Sequence, residues 1–409
     1  MYEKVLLWAT PVFLALIALE CVVAAVRGRS PYRLGDAVAS VSLGALSSYV
    51  GVYTRLVSFG LYVYAFDALR LTTLDDRLPW VWCAALVVYD FLYYWNHRLG
   101  HEINVLWAAH VVHHQSEEFN LSTALRQTSS GFLLSWLFYI PMALAGVPPR
   151  LFLFVSLVDL LYQFWIHTEQ VGSLGVIDRI FATPSNHRVH HGVNDQYVDT
   201  NYGGILIIWD RLFGTFQPEL PAVPVVYGTR EPLHSWNPLW ANLHTYTALV
   251  RDALDARSWG DRARVFLARP GWRPAEAAMR RPKPAFSLPA VRKYDPALPA
   301  GLGAYCLLQG FGVLAMGAYF MAAAPLWEPL RALALLAVLV ASQWILGGLT
   351  EGRRRYAWFE ALRIVVVAAL LAVWLAGAVT SPLLLVAPIV AGCLAWLWFA
   401  ARPLRPLAA

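Results

Sequence analysis

Residues 90–114 read DFLYYWNHRLGHEINVLWAAHVVHH, and further along 186–191 read NHRVHH. Of the 11 histidines in the chain, eight fall in these two stretches: His97 and His101, then His110, His113 and His114, then His187, His190 and His191. A ninth, His167, ends an apolar run between them. Residues three and four apart on a helix share a face, so each box turns two or three imidazoles toward one point. Three converging boxes bring together more nitrogen donors than one first-row metal holds, and the count points to two ions. A single histidine in an apolar protein is usually a hydrogen-bonded core residue. Three boxes of nearly the same spacing are not, because imidazoles crowded in or beside a membrane are costly unless something binds them. His234 and His244 lack box spacing and read as structural or surface residues.

Composition sets the class. With 58% of 409 residues hydrophobic and 14% charged, the chain reads as an all-α, polytopic membrane bundle carrying the boxes in a helical cap. Nine apolar runs are expected to cross: 5–26, about 37–71, one from Pro79 or Trp80 into the first box, 128–147, 151–167, and four more at 301–323, 329–349, 358–378 and 382–400. The first lacks a basic leader region and a small-residue cleavage site, so it reads as a retained helix. The second is too long for one straight crossing. The implied organisation is N-terminal transmembrane helices over 1–79, a histidine-box domain over 80–217, a basic Pro- and Trp-rich segment over 218–299, and a four-helix transmembrane region over 300–409.

Between Arg251 and Asp295 stand eleven Lys or Arg against five Asp or Glu, a surplus equal to the formal net charge of +6. This segment reads as solvated chain against anionic headgroups, without an organised fold, and not as a nucleic-acid surface. The positive-inside rule puts the loop at 27–33, the basic segment, Arg353–Arg355 and the tail with Arg402 and Arg405 on the cytoplasmic side, and the boxes with them. Cys21, Cys83, Cys306 and Cys393 all fall in predicted spans, which excludes a disulfide framework and a zinc knuckle.

A metal site just beneath the membrane surface suits a lipid entering from the bilayer and a reductant arriving from the cytoplasm. The order H-x-x-x-H-E is not the H-E-x-x-H of a zinc protease, whereas neutral nitrogen donors in a dinuclear site suit iron and O2. A membrane metal-binding or transport protein is the alternative outside the enzymes; histidines gathered at one side argue against a conduction path. Without a heme motif or a G-x-G-x-x-G fingerprint, electrons must come from outside the chain.

The pattern H-x3-H, H-x2-H-H, H-x2-H-H resembles the fatty acid hydroxylase and sterol desaturase superfamily of membrane di-iron oxygenases. Within it, HRLGHEINVLWAAHVVHHQSEEFNLSTALRQ and NYGGILIIWDRLFGTF at 201–216 are similar to the ether-lipid (alkylglycerol) monooxygenase branch. The resemblance implies that His97, His101, His110, His113, His114, His187, His190 and His191 hold two iron ions, with His167 at the same site. It implies a lipid hydroxylation with O2, at the O-alkyl carbon of an alkylglycerol, with tetrahydrobiopterin as reductant. A sterol or fatty-acid hydroxylase or desaturase fed by a ferredoxin or cytochrome is the alternative. Glu102 matches an acidic residue of that branch and is a candidate to orient a ligand imidazole or bind the pterin. Asp90, seven residues before His97 and two turns along the same face, is a second candidate catalytic carboxylate. Asn120 and Arg126 are candidates to position substrate or cofactor.

Overall fold

The computed structural model describes residues 2–30, 32–376 and 381–404 and is all-helical; Arg405 of the basic tail lies outside the described residues. Two long helices open the chain, α1 (Tyr2–Val26) and α2 (Leu34–Leu69). At 1.5 Å per residue the 36 residues of α2 extend about 54 Å, so this unbroken helix exceeds a hydrocarbon core of about 30 Å. Helix α3 (Pro79–Glu102) starts with proline at its first turn, where a missing N–H costs nothing, and ends in the first box. The second box closes α4 (Asn104–His114). Short α5 (Leu121–Ala124) and α6 (Ile140–Leu144) lead to α7 (Pro149–Trp165). The third box occupies α8 (Pro184–His190), followed by α9 (Ile208–Phe213).

Two expectations are corrected. Among the described residues six helices, not nine, are long and apolar enough to cross a membrane: α1, α2 and the closing four. The run at 128–147 is broken into two 3-10 turns and the five residues of α6, because Gly131 and Pro141 interrupt an otherwise apolar stretch. Helix α7 has only 17 residues, and the second half of α3 is filled with polar groups that serve the boxes.

The basic segment, in turn, is organised. It folds into α10 (Pro238–Asp255), α11 (Trp259–Leu267) and α12 (Ala275–Arg280), with α10 and α11 packed on α4. Its cations are largely paired: Arg273 Nε and Nη2 hold Asp252 at 2.7 and 2.9 Å, and Arg280 reaches Asp255 at 2.5 Å. Local carboxylates therefore answer much of the surplus that sequence alone assigns to headgroups.

The chain closes with α13 (Ala300–Ala323), α14 (Pro329–Thr350), α15 (Arg355–Leu375) and α16 (Pro382–Ala401). These pack with α2 around Tyr49, Tyr305, Phe320, Leu339 and Leu349. A second core joins α2 to α3, α7 and residues 139–147 around Tyr62, Ala85, Met142 and Leu151. Helix α2 is the common wall, and both ends of the bundle are tied. At one, Leu71 and Leu74 N–H donate to the carbonyls of Leu144 and Gly146. At the other, Arg33 donates to Glu118 (2.5 Å) and to the Tyr294 carbonyl (2.6 Å), and the Ser235 hydroxyl donates to Glu351 (2.6 Å). The loop at 27–33, the basic segment and the turn before α15 thus meet at one end, beside the second histidine box.

Candidate metal centre

All nine predicted histidines come together, in two groups. His97, His101, His110, His114 and His190 form one and His113, His167, His187 and His191 the other, with the potential ligand atoms within each group lying within 4.8 Å of one another. His114 and His191 stack between the groups at 4.4 Å. Every ring except the partly exposed His110 is buried. His234 and His244 lie elsewhere, against Tyr294 and Trp240.

Backbone carbonyls aim these rings. The Nδ1–H of His97 donates to Tyr202 O (2.8 Å), that of His113 to Arg126 O (3.0 Å), that of His167 to Gln163 O (2.7 Å) and that of His190 to Thr200 O (2.9 Å). A carbonyl only accepts, so the proton sits on Nδ1 and each Nε2 is left a bare lone pair. In the second group the Nε2 atoms of His113 and His167 face each other at 3.1 Å. Two lone pairs cannot hydrogen-bond; a cation about 2.1 Å from each nitrogen, with its ligands near right angles, gives a separation of about 3 Å. His187 Nε2 is 2.9 Å from His167 Nε2 and 3.2 Å from His191 Nε2. In the first group, His110 Nε2 is 3.0 Å from His97 Nε2 and 3.1 Å from His114 Nε2, while His101 Nε2 and His190 Nε2 are buried with no hydrogen-bond partner among the described residues.

Helices α4 and α8, of 11 and 7 residues, are too short to be stable alone, and the box segments are pinned from outside. In α8, Asn186 donates to the carbonyls of Asp178 (2.9 Å) and Phe181 (3.1 Å). Arg188 grips Glu219 and donates to Thr168 O at 3.0 Å, binding the third box to the residue after His167. Asp90 accepts from Ile205 N–H (2.7 Å), Leu206 N–H (3.1 Å) and Trp209 Nε1 (2.8 Å), tying α3 to the loop whose Tyr202 carbonyl holds His97. Asp210 takes Tyr202 and Gly203 N–H, both at 2.7 Å. That loop turns through Asp199 and Asn201 at φ +58°, a left-handed conformation that Asp and Asn tolerate better than most residues. A Cβ at Gly204 would stand 2.8 Å from Asp159 Oδ1 and 3.0 Å from Asp90 Oδ1, so only glycine lets this loop approach.

The other candidate residues lie around the groups rather than in them. Glu102 sits at the rim of α3, paired with Arg98 (3.0 Å) and Arg269 (3.6 Å). The carboxylate nearest a box is instead Asp199, 3.5 Å from His101 Nδ1. Asn120 caps α5 through Ser122 N–H at 3.0 Å. Arg126 is fully buried: its guanidinium donates to Val112 O (3.0 Å) and Ser40 Oγ (3.2 Å) and stands 3.6 Å from Asp36. Asp36, in the first turn of α2, is the hub here, accepting from Ser116 Oγ (2.6 Å) and Glu117 N–H (3.0 Å) directly after the second box.

Burial, reinforced by neighbouring rings, pushes His110, His114, His187, His190 and His191 well below the ordinary imidazole range, which keeps them neutral as metal ligands must be. His113 is pushed down, mainly by burial, to about 4. A depressed imidazole contributes stability above its unfolded value and loses it as pH falls through the folded value. The metal-free protein is therefore expected to lose of order 3 kcal/mol from His113 alone as pH drops from about 6.5 to about 4. Denaturation of chelator-stripped protein across that window checks this; a flat midpoint contradicts it.

One cavity of about 720 Å³ opens onto both groups, reaching His97 and His110 of the first and His113 and His167 of the second. Helices α1, α2, α3, α4, α7 and α13 contribute to its walls.

The fatty acid hydroxylase family matches residues 82–215, the span that holds all nine histidines. The chain is 42% identical over 269 residues to the alkylglycerol monooxygenase of Homo sapiens, covering 66% of this chain and 60% of the human protein. Against the alkylglycerol monooxygenase of Danio rerio it is 37% identical over 364 residues, 88% of this chain and 80% of that protein. Against that of Xenopus tropicalis it is 35% identical over 356 residues, 87% and 79% of the two. No solved structure matches the chain. A family match lying over the box region, long alignments with these relatives and two facing sets of imidazole lone pairs agree: the chain belongs to the fatty acid hydroxylase family of membrane oxidoreductases.

Proposed function

We propose that the chain is a di-iron monooxygenase that hydroxylates a membrane lipid with O2, at the O-alkyl carbon of an alkylglycerol ether. The observation that carries this reading is the pair of lone-pair clusters opening together onto one lipid-sized cavity. Nine neutral imidazoles fit two ions: His97, His101, His110, His114 and His190 hold one, and His113, His167, His187 and His191 the other. Iron supplies the open positions and electrons for O2 activation when bound. The chain's own groups do the rest. The carbonyls of Tyr202, Arg126, Gln163 and Thr200 hold four rings in the tautomer that presents Nε2, and the cavity seats the lipid against His97, His110, His113 and His167 while excluding water.

The balance is that one oxygen atom enters the C–H bond beside the ether oxygen and the other leaves as water, using two electrons and two protons from the reductant. The resulting hemiacetal breaks to an aldehyde and glycerol. The similarity to alkylglycerol monooxygenases supports the ether substrate, and the resemblance of 97–127 and 201–216 to that branch supports a tetrahydrobiopterin donor. The basic loops gathered at the box end of the bundle support a cytoplasm-facing site. Iron-loaded protein in liposomes, given 18O2, tetrahydrobiopterin and 1-O-hexadecylglycerol, should release hexadecanal, with one labelled oxygen incorporated before exchange with water. Oxidation of fatty acids or sterols alone would overturn the ether-lipid reading, and no oxidised lipid at all would overturn the monooxygenase.

Glu102→Gln is expected to keep its metals, because the carboxylate holds arginines and no histidine. With the proposed role at the reductant's approach, its KM for tetrahydrobiopterin should rise about 2–10-fold, the effect of one weakened polar contact. An unchanged KM would return Glu102 to an ion pair at a helix end.

A further inference from the structure

The cavity wall is not uniform. On one side it is made by Pro11 and Leu14 of α1 and by Phe311, Leu314 and Ala318 of α13, all apolar. On another it carries a row of hydroxyls from two segments far apart in sequence, Thr128, Ser130 and Tyr246. Ser130 Oγ lies 2.9 Å from Tyr246 Oη and 3.0 Å from Thr128 Oγ1. The row stands next to the histidines. Arg126 O holds His113 Nδ1 at 3.0 Å, and Thr128 follows two residues later, at most about 7 Å of chain away.

Its backbone is anchored by α2 and α10. The Ser47 hydroxyl donates to Thr128 O at 2.7 Å, and Ser129 N–H donates to Asn242 Oδ1 at 2.8 Å. The hydroxyl hydrogens themselves remain free to rotate, so each group can give and take a hydrogen bond. Cations are scarce: among the described residues that line the cavity, Arg55 is the one Lys or Arg, and it stands eight residues beyond Ser47, about 12 Å along α2.

We propose that Thr128, Ser130 and Tyr246 form a headgroup subsite that selects lipids ending in an uncharged, hydroxyl-bearing group over lipids ending in a phosphate. This rests on the lipid-monooxygenase reading and adds to it the substrate's polar end and its orientation. Free hydroxyls of a glycerol match a row that both donates and accepts. A phosphate there would be stripped of water with no Lys or Arg side chain in the row to answer it, which is costly. Because the row begins beside His113, a bound headgroup puts the first carbons of the alkyl chain against the metal site and sends the tail toward α1 and α13. Oxidation next to the headgroup, and not in mid-chain, follows from that order.

The test compares three ligands: 1-O-hexadecylglycerol, its 3-phosphate, and hexadecyl propyl ether, which keeps the shape without the hydroxyls. Wild type should bind the diol more tightly than either of the others. Tyr246→Phe and Ser130→Ala should each weaken the diol about 2–10-fold, in KM and in equilibrium binding to iron-loaded protein without O2, and leave the propyl ether and the iron content unchanged. Equal binding of the phosphate or the propyl ether by wild type, or equal effects of the variants on diol and propyl ether, overturns the subsite. If wild type prefers the diol and Tyr246→Phe loses that preference while no ligand is oxidised, the subsite stands and the monooxygenase reading falls.

Discussion

Replacing His187 by alanine is expected to empty the second metal position and abolish lipid oxidation. His187 Nε2 stands 2.9 Å from His167 Nε2 and 3.2 Å from His191 Nε2, and with its ring gone only three donors remain in that group. Losing a partner that merely orients a ligand typically costs about 10–100-fold in metal affinity or activity. Removing the ligand itself should cost at least the upper figure in turnover. Iron and product measured on the same preparation decide it, and full activity with both ions retained would take His187 out of the site. The five histidines of the first group, with His97 and His190 on their carbonyl partners, are untouched in this variant, so one ion should stay. A structural role for His187 would instead lower both metals together with the folded fraction.

The second large effect concerns the polar network under the second box. Arg126→Met is expected to destabilise the protein by about 3 kcal/mol, because it leaves Asp36 buried with its nearest interior cation gone. Asp36 keeps Ser116 and Glu117 N–H as donors and Arg33 at 3.7 Å, which places the loss at the lower end of the range for a broken buried pair. Adding Asp36→Asn should recover part of the loss, since the two residues share one network and their effects are not additive. Denaturation midpoints of the two single variants and the double variant check this. Additive losses would mean that Arg126 acts through packing and its grip on Val112 O alone.

The histidines were legible because a helical ligand set repeats at three and four residues, a pattern visible without any structure. What aims them was not. The partners of His97, His113, His167 and His190 are main-chain carbonyls of Tyr202, Arg126, Gln163 and Thr200, and no side-chain identity encodes a carbonyl's direction. Arg126 shows the difference: sequence pattern suggests a cationic side chain reaching substrate or cofactor, whereas the structure buries that side chain and uses the carbonyl. Asp36 sits in the first turn of α2, two positions after Leu34, and burial of a first-turn carboxylate cannot be seen from spacing.

Span counting failed where hydrophobicity and helicity part company. Residues 128–147 are apolar enough for a span, but Gly131 and Pro141 divide them, and their polar leading edge becomes cavity wall. In the basic segment, charge drew attention away from signals that were present. Asn237 before Pro238 accepts from Leu239 and Trp240 N–H, and Ser258 accepts from Asp261 N–H at 2.9 Å. Both are N-cap patterns that announce α10 and α11. The consequence is functional, since α10 delivers Tyr246 to the cavity.

Elemental analysis of purified, iron-supplemented protein tests most directly whether two separate histidine groups hold two metal ions. The expected result is about two ions per chain in the wild type and about one in a variant carrying His167→Ala with His187→Ala, whose losses fall in one group only. One ion per chain in the wild type, or two retained in that double variant, would contradict it.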